Sequence, residues 1–314
     1  MGAGTLSSRA IIGSFYKRLE QNVGAEWVPD LSMYFTSDQA SEEYRWLGMA
    51  PAMREWIGGR NAKGFRENGI IIRNKDFEAT IEVLVKELRR DKTGQIMVRI
   101  NELADRTNAH WAKLLSDLII NGESTVCYDG QYFFDTDHSE GDSGSQSNDI
   151  SYNVVTPTAP TAAEMEQVIL SAVQQLLGLK DDQGEPMNEG AKYFRVMVPV
   201  PFMAAAAAAI GNPVIVDASG SRTNTLTNLK GVIGDFRFAL DVNSRLTWTT
   251  ECALFRADGN AKPFIRQEEE AVSLDAIAEG SELEFKENKH QYGVKASRNV
   301  GYGYWQHGCL VTLT

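Results

Sequence analysis

The stretch Glu42-Glu43-Tyr44-Arg45-Trp46-Leu47-Gly48-Met49-Ala50-Pro51, followed by Met53-Arg54-Glu55-Trp56-Ile57-Gly58-Gly59-Arg60, decides how the rest of the chain is read. Aromatic and charged residues alternate along it, and Gly and Pro punctuate it. The β-branched run Gly69-Ile70-Ile71-Ile72-Arg73-Asn74-Lys75-Asp76-Phe77 then suits a strand. Together, residues 41–77 predict a long hairpin-like excursion. A lone two-stranded hairpin is marginal in water and cannot bury its own aromatics. Trp46 and Trp56 must therefore pack on the chain's own core or on a neighbour.

Upstream, Leu6, Ala10, Ile11, Phe15 and Leu19 are spaced like one face of a helix, and the pattern is lost after Asn22-Val23-Gly24. Residues 1–40 read as an arm that packs against something else. Downstream, Ile96, Ile100, Leu103, Thr107, Trp111, Leu114 and Leu118 step by three or four and predict one helix over 94–121. Asp91 and Thr93 can cap its start, and Gly122 follows its end as a C′ residue. Such a helix spans roughly 42 Å and needs a long surface to lie on.

Residues 139–151 are Ser, Gly, Asp and Asn with almost no apolar content, which predicts an exposed loop or a lobe boundary. Thr161 and Glu164 form a capping box for a second helix ending at Gly178 or Gly184. Tyr193–Val200 reads as a buried strand, Pro201–Ile210 as an alanine-rich helix and Val214–Asp217 as a short strand. The alternation in 231–256 predicts two paired strands turned at Asn243-Ser244. Leu283-Glu284-Phe285-Lys286, Gln291-Tyr292-Gly293-Val294 and Tyr302-Gly303-Tyr304-Trp305 continue the strand theme.

Composition narrows the function. The 314 residues are 43% hydrophobic and 23% charged, enough for a sizeable core. No window approaches the roughly 18 apolar residues of a membrane span, and the start lacks a secretory pattern. The net charge of −11 disfavours a dedicated nucleic-acid reader, although not a wall that merely encloses DNA. Three scattered cysteines fit a reducing compartment better than a disulfide framework. Gly141-Asp142-Ser143-Gly144 matches the loop around a serine-protease nucleophile, but no oriented histidine is apparent and Ser145 departs from that pattern. Asp135, Asp137 and His138 lie close together, yet Asx-turn bonding is a simpler role for them than a metal site. No catalytic set, cofactor motif or metal motif emerges.

The strings Tyr44-Arg45-Trp46-Leu47-Gly48, Pro51, Arg54-Glu55-Trp56-Ile57-Gly58 and Arg60 resemble the signature of the Mu-like phage major head subunit family. So do Asn74-Lys75 with Phe77-Glu78-Ala79-Thr80-Ile81, and Cys127-Tyr128-Asp129-Gly130-Gln131-Tyr132-Phe133-Phe134-Asp135 with His138. The match covers roughly residues 40–140. The resemblance implies the α+β Hong Kong 97 phage capsid fold: an N-terminal arm at 1–40, an E-loop at 41–77, and a peripheral domain at 78–150 with a spine helix at 94–121. An axial domain at 151–260 and a return to the peripheral domain at 261–314 complete it. It implies a major capsid protein of a tailed double-stranded DNA bacteriophage, built into hexamers and pentamers of an icosahedral head in the host cytoplasm. Implied partners are copies of itself, a separate scaffold protein, a portal, decoration proteins and packaged DNA held without specificity, with no membrane and no cofactor. On that reading Trp46, Trp56, Gly58, Gly59 and Arg60 are the inter-subunit contact candidates. The glycines permit a tight turn and the tryptophans anchor on the neighbour. Lys63 is a weak candidate for a covalent crosslink. The alternatives are a non-viral encapsulating shell of the same fold and a hydrolase using Ser143.

Overall fold

The computed structural model describes residues 7–21, 24–45, 69–91, 93–217, 220–232 and 235–314. Helix α1 (Ser8–Gln21) turns the spacing of Ile11 and Phe15 into one buried face. Helix α2 (Trp27–Leu31) leads into strand β1 (Ser32–Thr36). Strands β2 (Ser41–Tyr44) and β3 (Ile70–Arg73) pair antiparallel. Residues 46–68 lie outside the described residues, and with them Trp46, Trp56, Gly58, Gly59, Arg60 and Lys63.

Strand β4 (Lys75–Leu84) and helix α3 (Val85–Arg90) precede the long helix α4 (Gln95–Ile120), one residue inside the predicted span at each end. Its start is capped from outside the first turn, where the Asp91 carboxylate accepts the Gln95 and Ile96 N–H groups at 3.1 and 2.9 Å. Gly122 serves packing rather than a left-handed C′ turn. A Cβ there would sit 2.4 Å from the Phe134 ring, where the helix tightens into a 3-10 turn.

Strands β5 (His138–Ser139) and β6 (Ser145–Gln146) pair, and β7 (Asp149–Tyr152) follows. The segment expected to be an exposed loop or a lobe boundary is exposed at Ser139, Gly141, Asp142, Gly144, Ser145 and Ser151, but it buries Glu140, Ser143 and Asn148. Its buried polar side chains bond backbone, as when Asn148 Nδ2 donates to the Phe133 carbonyl at 2.8 Å. Composition cannot separate those two uses of a polar side chain.

Helix α5 (Ala162–Gly178) carries the predicted capping box. Thr161 Oγ1 accepts the Glu164 N–H, and the Glu164 carboxylate accepts the Thr161 N–H. Then come β8 (Tyr193–Val198), α6 (Met203–Gly211), β9 (Val214–Asp217), β10 (Gly220–Thr223), α7 (Thr225–Val232), β11 (Arg237–Val242) and β12 (Glu251–Arg256). Strand β13 (Phe264–Ile277), helix α8 (Glu282–Glu287), β14 (Lys289–Tyr302) and β15 (Gly308–Leu313) complete the chain.

Two sheets organise these elements. The first runs β1-β13-β14-β4, with β1 parallel to β13 and the other pairs antiparallel. The N-terminal half of α4 and helix α1 pack on it through Ile11, Phe15, Ile100, Leu103, Tyr292 and Val294. The second runs β11-β8-β12-β15-β7. It shares a larger core with α5, α6 and the C-terminal half of α4, in which Leu115, Ile119, Phe133, Phe134, Val168, Phe194 and Trp305 are buried.

Three further expectations are corrected. The arm helix packs on its own chain: Arg18 forks onto Asp105 of α4 at 2.7 and 2.8 Å, and Ser14 bonds Asn101. Strands β11 and β12 flank β8 instead of pairing with each other. Alternation reports which face is buried, not which strand is the neighbour, and the almost wholly buried β8 takes the interior place. Residues 283–286 form part of α8 instead of a strand. Ser281 caps it through the Glu284 N–H at 3.2 Å, and Asn288 ends it at φ 53°.

Candidate functional site

The root of the 41–77 excursion is the described part of the candidate site. Tyr44 and Ile72 point into the molecule, while Glu43 and Ile71 point out. Fully buried Gln267 of β13 ties both strands down. Its Oε1 accepts the Tyr44 hydroxyl at 2.8 Å, and its Nε2 donates to the Ile72 carbonyl at 3.2 Å and to Asn74 Oδ1 at 2.8 Å. Asn74 in turn donates to the Gln39 carbonyl at 2.8 Å. On the neighbouring strand β14, Asn299 donates to the Arg73 carbonyl at 2.7 Å. Gly301 lets Ile72 lie against the strand, since a Cβ there would come within 2.3 Å of Ile72 Cδ1. Burial, with the charge of Glu42, pushes the Tyr44 hydroxyl up to about 12, so it remains a donor at neutral pH.

The same strand pair grips α4. The Arg298 guanidinium lies 4.7 Å over the Trp111 ring, and Arg266 lies 5.5 Å from that ring. Arg298 donates to His110 Nδ1 at 3.1 Å and to the Thr107 carbonyl at 3.2 Å. Burial, then the charge of Arg298, pushes His110 down to about 4, which keeps its ring nitrogen free to accept. Arg298, Asn299 and Gly301 are near neighbours on β14. One short piece of strand therefore couples the excursion's root to the long helix.

The other sequence candidates resolve into structure. Buried His138 bonds Asp129 through Nδ1 at 2.6 Å and Asn148 through Nε2 at 3.2 Å, and stacks on Trp305 at 3.8 Å. Asp135 accepts the Tyr132 and Thr136 N–H groups, the local turn bonding expected of it. Among the described residues no His, Cys, Asp and Glu cluster suits a metal ion. Ser143 Oγ donates to the Gly144 carbonyl and accepts the Glu140 N–H. Both His138 nitrogens are engaged elsewhere, so this arrangement builds no serine–histidine relay. Among the described residues no helix is long and apolar enough to cross a membrane.

The five residues chosen from sequence lie outside the described residues, whereas Gln267, Asn299 and Gly301 at the root were not chosen. Nothing in the sequence marks Gln267 as inward-facing or names what it meets, since Phe264-Ile265-Arg266-Gln267 does not alternate.

Known proteins agree with this picture. A family model described as Mu-like prophage major head subunit gpT matches residues 9–162 and 245–312. The Mu-like prophage FluMu major head subunit of Haemophilus influenzae is 32% identical over 135 residues, 43% of this chain and 44% of that protein. The major capsid protein of Escherichia phage Mu is 32% identical over 108 residues, 34% of this chain and 35% of that protein. The matches thus span less than half the length of either relative. The procapsid of bacteriophage JBD30 superposes with a TM-score of 0.53 at 22% identity, covering 98% of this chain and 76% of that one. At that identity the likeness is one of fold, and it is the phage capsid fold that the sequence implied. With most of its length matched by the family model, the chain belongs to the Mu-like prophage major head subunit family.

Proposed function

We propose that this chain is the major capsid protein of a tailed double-stranded DNA phage or prophage, acting by self-association and not by catalysis. The observation that carries the reading is the family match together with the root of the 41–77 excursion. The strands on either side of residues 46–68 are tied to the sheet, Tyr44 of β2 and Ile72 of β3 through buried Gln267. That segment carries Trp46 and Trp56, which act on an adjacent copy as an E-loop, with Gly58, Gly59 and Arg60 beside them. Many such modest contacts, closed by symmetry, hold each subunit in hexamers and pentamers of an icosahedral shell.

On this reading residues 1–40 are the arm, 78–150 the peripheral domain with α4 as its spine, 151–260 the axial domain and 261–314 the return. Support comes from the two sheets, since 261–314 supplies β13 and β14 to one and β15 to the other. The shell forms in the host cytoplasm around a separate scaffold protein, joins a portal, carries decoration proteins and encloses DNA without reading it. The net charge of −11 suits a wall that does not grip its contents.

Electron microscopy of the chain expressed with its scaffold tests this. Shells, tubes or rings are the expected products. Monomers alone under every condition would refute the reading.

A further inference from the structure

Strand β14 has two faces, and they serve different elements. Successive side chains point to opposite faces of a strand. From Arg298 to Tyr302 the register against β13 is unbroken, with Arg298 opposite Glu268 and Asn299 opposite Gln267. Arg298 and Tyr302 project towards α4. There Arg298 bonds His110 and Thr107, and the Tyr302 hydroxyl donates to the Leu118 carbonyl at 2.8 Å. Gln267, Asn299 and Gly301 project to the other face, where they meet Ile72 and Arg73 of β3. The sheet therefore lies between α4 and the strand pair β2–β3.

On the α4 side the linkage is narrow. A cleft of about 270 Å³ opens there, with Phe77, His110, Lys113, Ala296 and Arg298 in its lining. Buried Arg298 stands at this cleft with every nitrogen of its guanidinium engaged. Nε donates to His110, Nη2 donates to the Thr107 carbonyl, and Nη1 lies 3.8 Å from Glu268. The Trp111 ring lies beneath the group. A planar fork held at several points fixes direction as well as distance. Apolar contact is non-directional and does not replace it. Among the described residues Arg298 bonds neither β2 nor β3, but its chain neighbour Asn299 holds the Arg73 carbonyl of β3. A turn of β14 at Arg298 thus carries the Asn299 amide with it.

We infer that Arg298 is a positioning residue for the excursion: by holding β14 against α4 on one face of the sheet, it sets the angle at which β2 and β3 leave the other face. Its purpose, to aim residues 46–68, rests on the shell reading. Amide hydrogen exchange of the unassembled full chain reads the linkage directly. Arg298→Gln is expected to speed exchange in β2 and β3 about tenfold, the order of one lost hydrogen bond to a charged group, while β8 and β12 of the second sheet exchange as in the wild type. That effect is expected to be largely lost when Asn299→Ala has already cut the far-side bond, because two changes on one linkage do not add. Trp111→Leu removes the ring beneath the guanidinium and supplies the same test if the Arg298 variant does not fold. Particle yield in sedimentation is expected to fall with each loosening variant. Unchanged exchange in β2 and β3, an equal rise in the second sheet, or full additivity with Asn299→Ala would overturn the linkage. Loosened strands with a wild-type yield of particles would overturn its role in assembly. A wild-type chain that forms no particles sinks the shell reading, and the linkage is then judged on exchange in the free subunit.

Discussion

Gln267 is a buried amide with a bond to every group it faces at the root of the excursion: the Tyr44 hydroxyl, the Ile72 carbonyl and Asn74. Gln267→Met keeps its length but strands those groups without water. The expected cost is about 2 kcal/mol, the usual order for leaving buried polar groups unpaired, read as a lower urea midpoint. His307 poses the opposite problem, since it is buried and its two ring nitrogens have no hydrogen-bond partner among the described residues. Burial, and then the charge of Arg256, pushes it down to about 3. Its ordinary value is 6.5, so as pH falls the unfolded chain takes up the proton first. The stability associated with neutral His307 is fully present above pH 6.5 and drains away towards pH 3. Denaturation midpoints measured across that window should fall less steeply for His307→Gln than for the wild type. Neither role is legible in sequence: a lone Gln or His gives no sign of what surrounds it until distant strands meet.

Elements with local signals were easier to read than these residues. Helix α4 announced itself by its apolar steps and α5 by its Thr161–Glu164 box, because each depends on residues a few positions apart. Thr161→Ala should cost about 1 kcal/mol, seen as a lowered thermal midpoint, because the Glu164 N–H then loses its acceptor. Helix α8 carries the same kind of signal, Ser281 three residues before Glu284, but Leu283 and Phe285 alternating with charged residues read equally well as a strand. The neighbours of β11 and β12 were not recoverable this way. Which strand sits beside which is decided by the connections between them, and both strands alternate equally well beside β8 or beside each other.

At the scale of the whole molecule, the phage capsid fold was legible because multi-residue strings in order carried the family resemblance. The composition alone would have left only a structural role. The candidate site was legible in part: the β-branched run at 69–77 marked strand β3, but nothing marked its anchorage on β13 and β14. One double variant separates fold from assembly. Trp46→Ala with Trp56→Ala should sharply reduce the yield of particles in sedimentation while leaving the circular dichroism of the subunit unchanged. Persistence of normal particles would remove those tryptophans from the inter-subunit contact.

Strand β1 pairs with β13, joining Ser32 to Phe264, and β15 fills the place between β12 and β7. Neither sheet can close until the last fifth of the sequence has left the ribosome. A chain still being translated lacks the two middle strands of one sheet and a bridging strand of the other. Contacts this remote in sequence also form slowly. The order of synthesis therefore gates folding: a chain that still lacks those strands has no sheet on which to hold the paired strands β2 and β3.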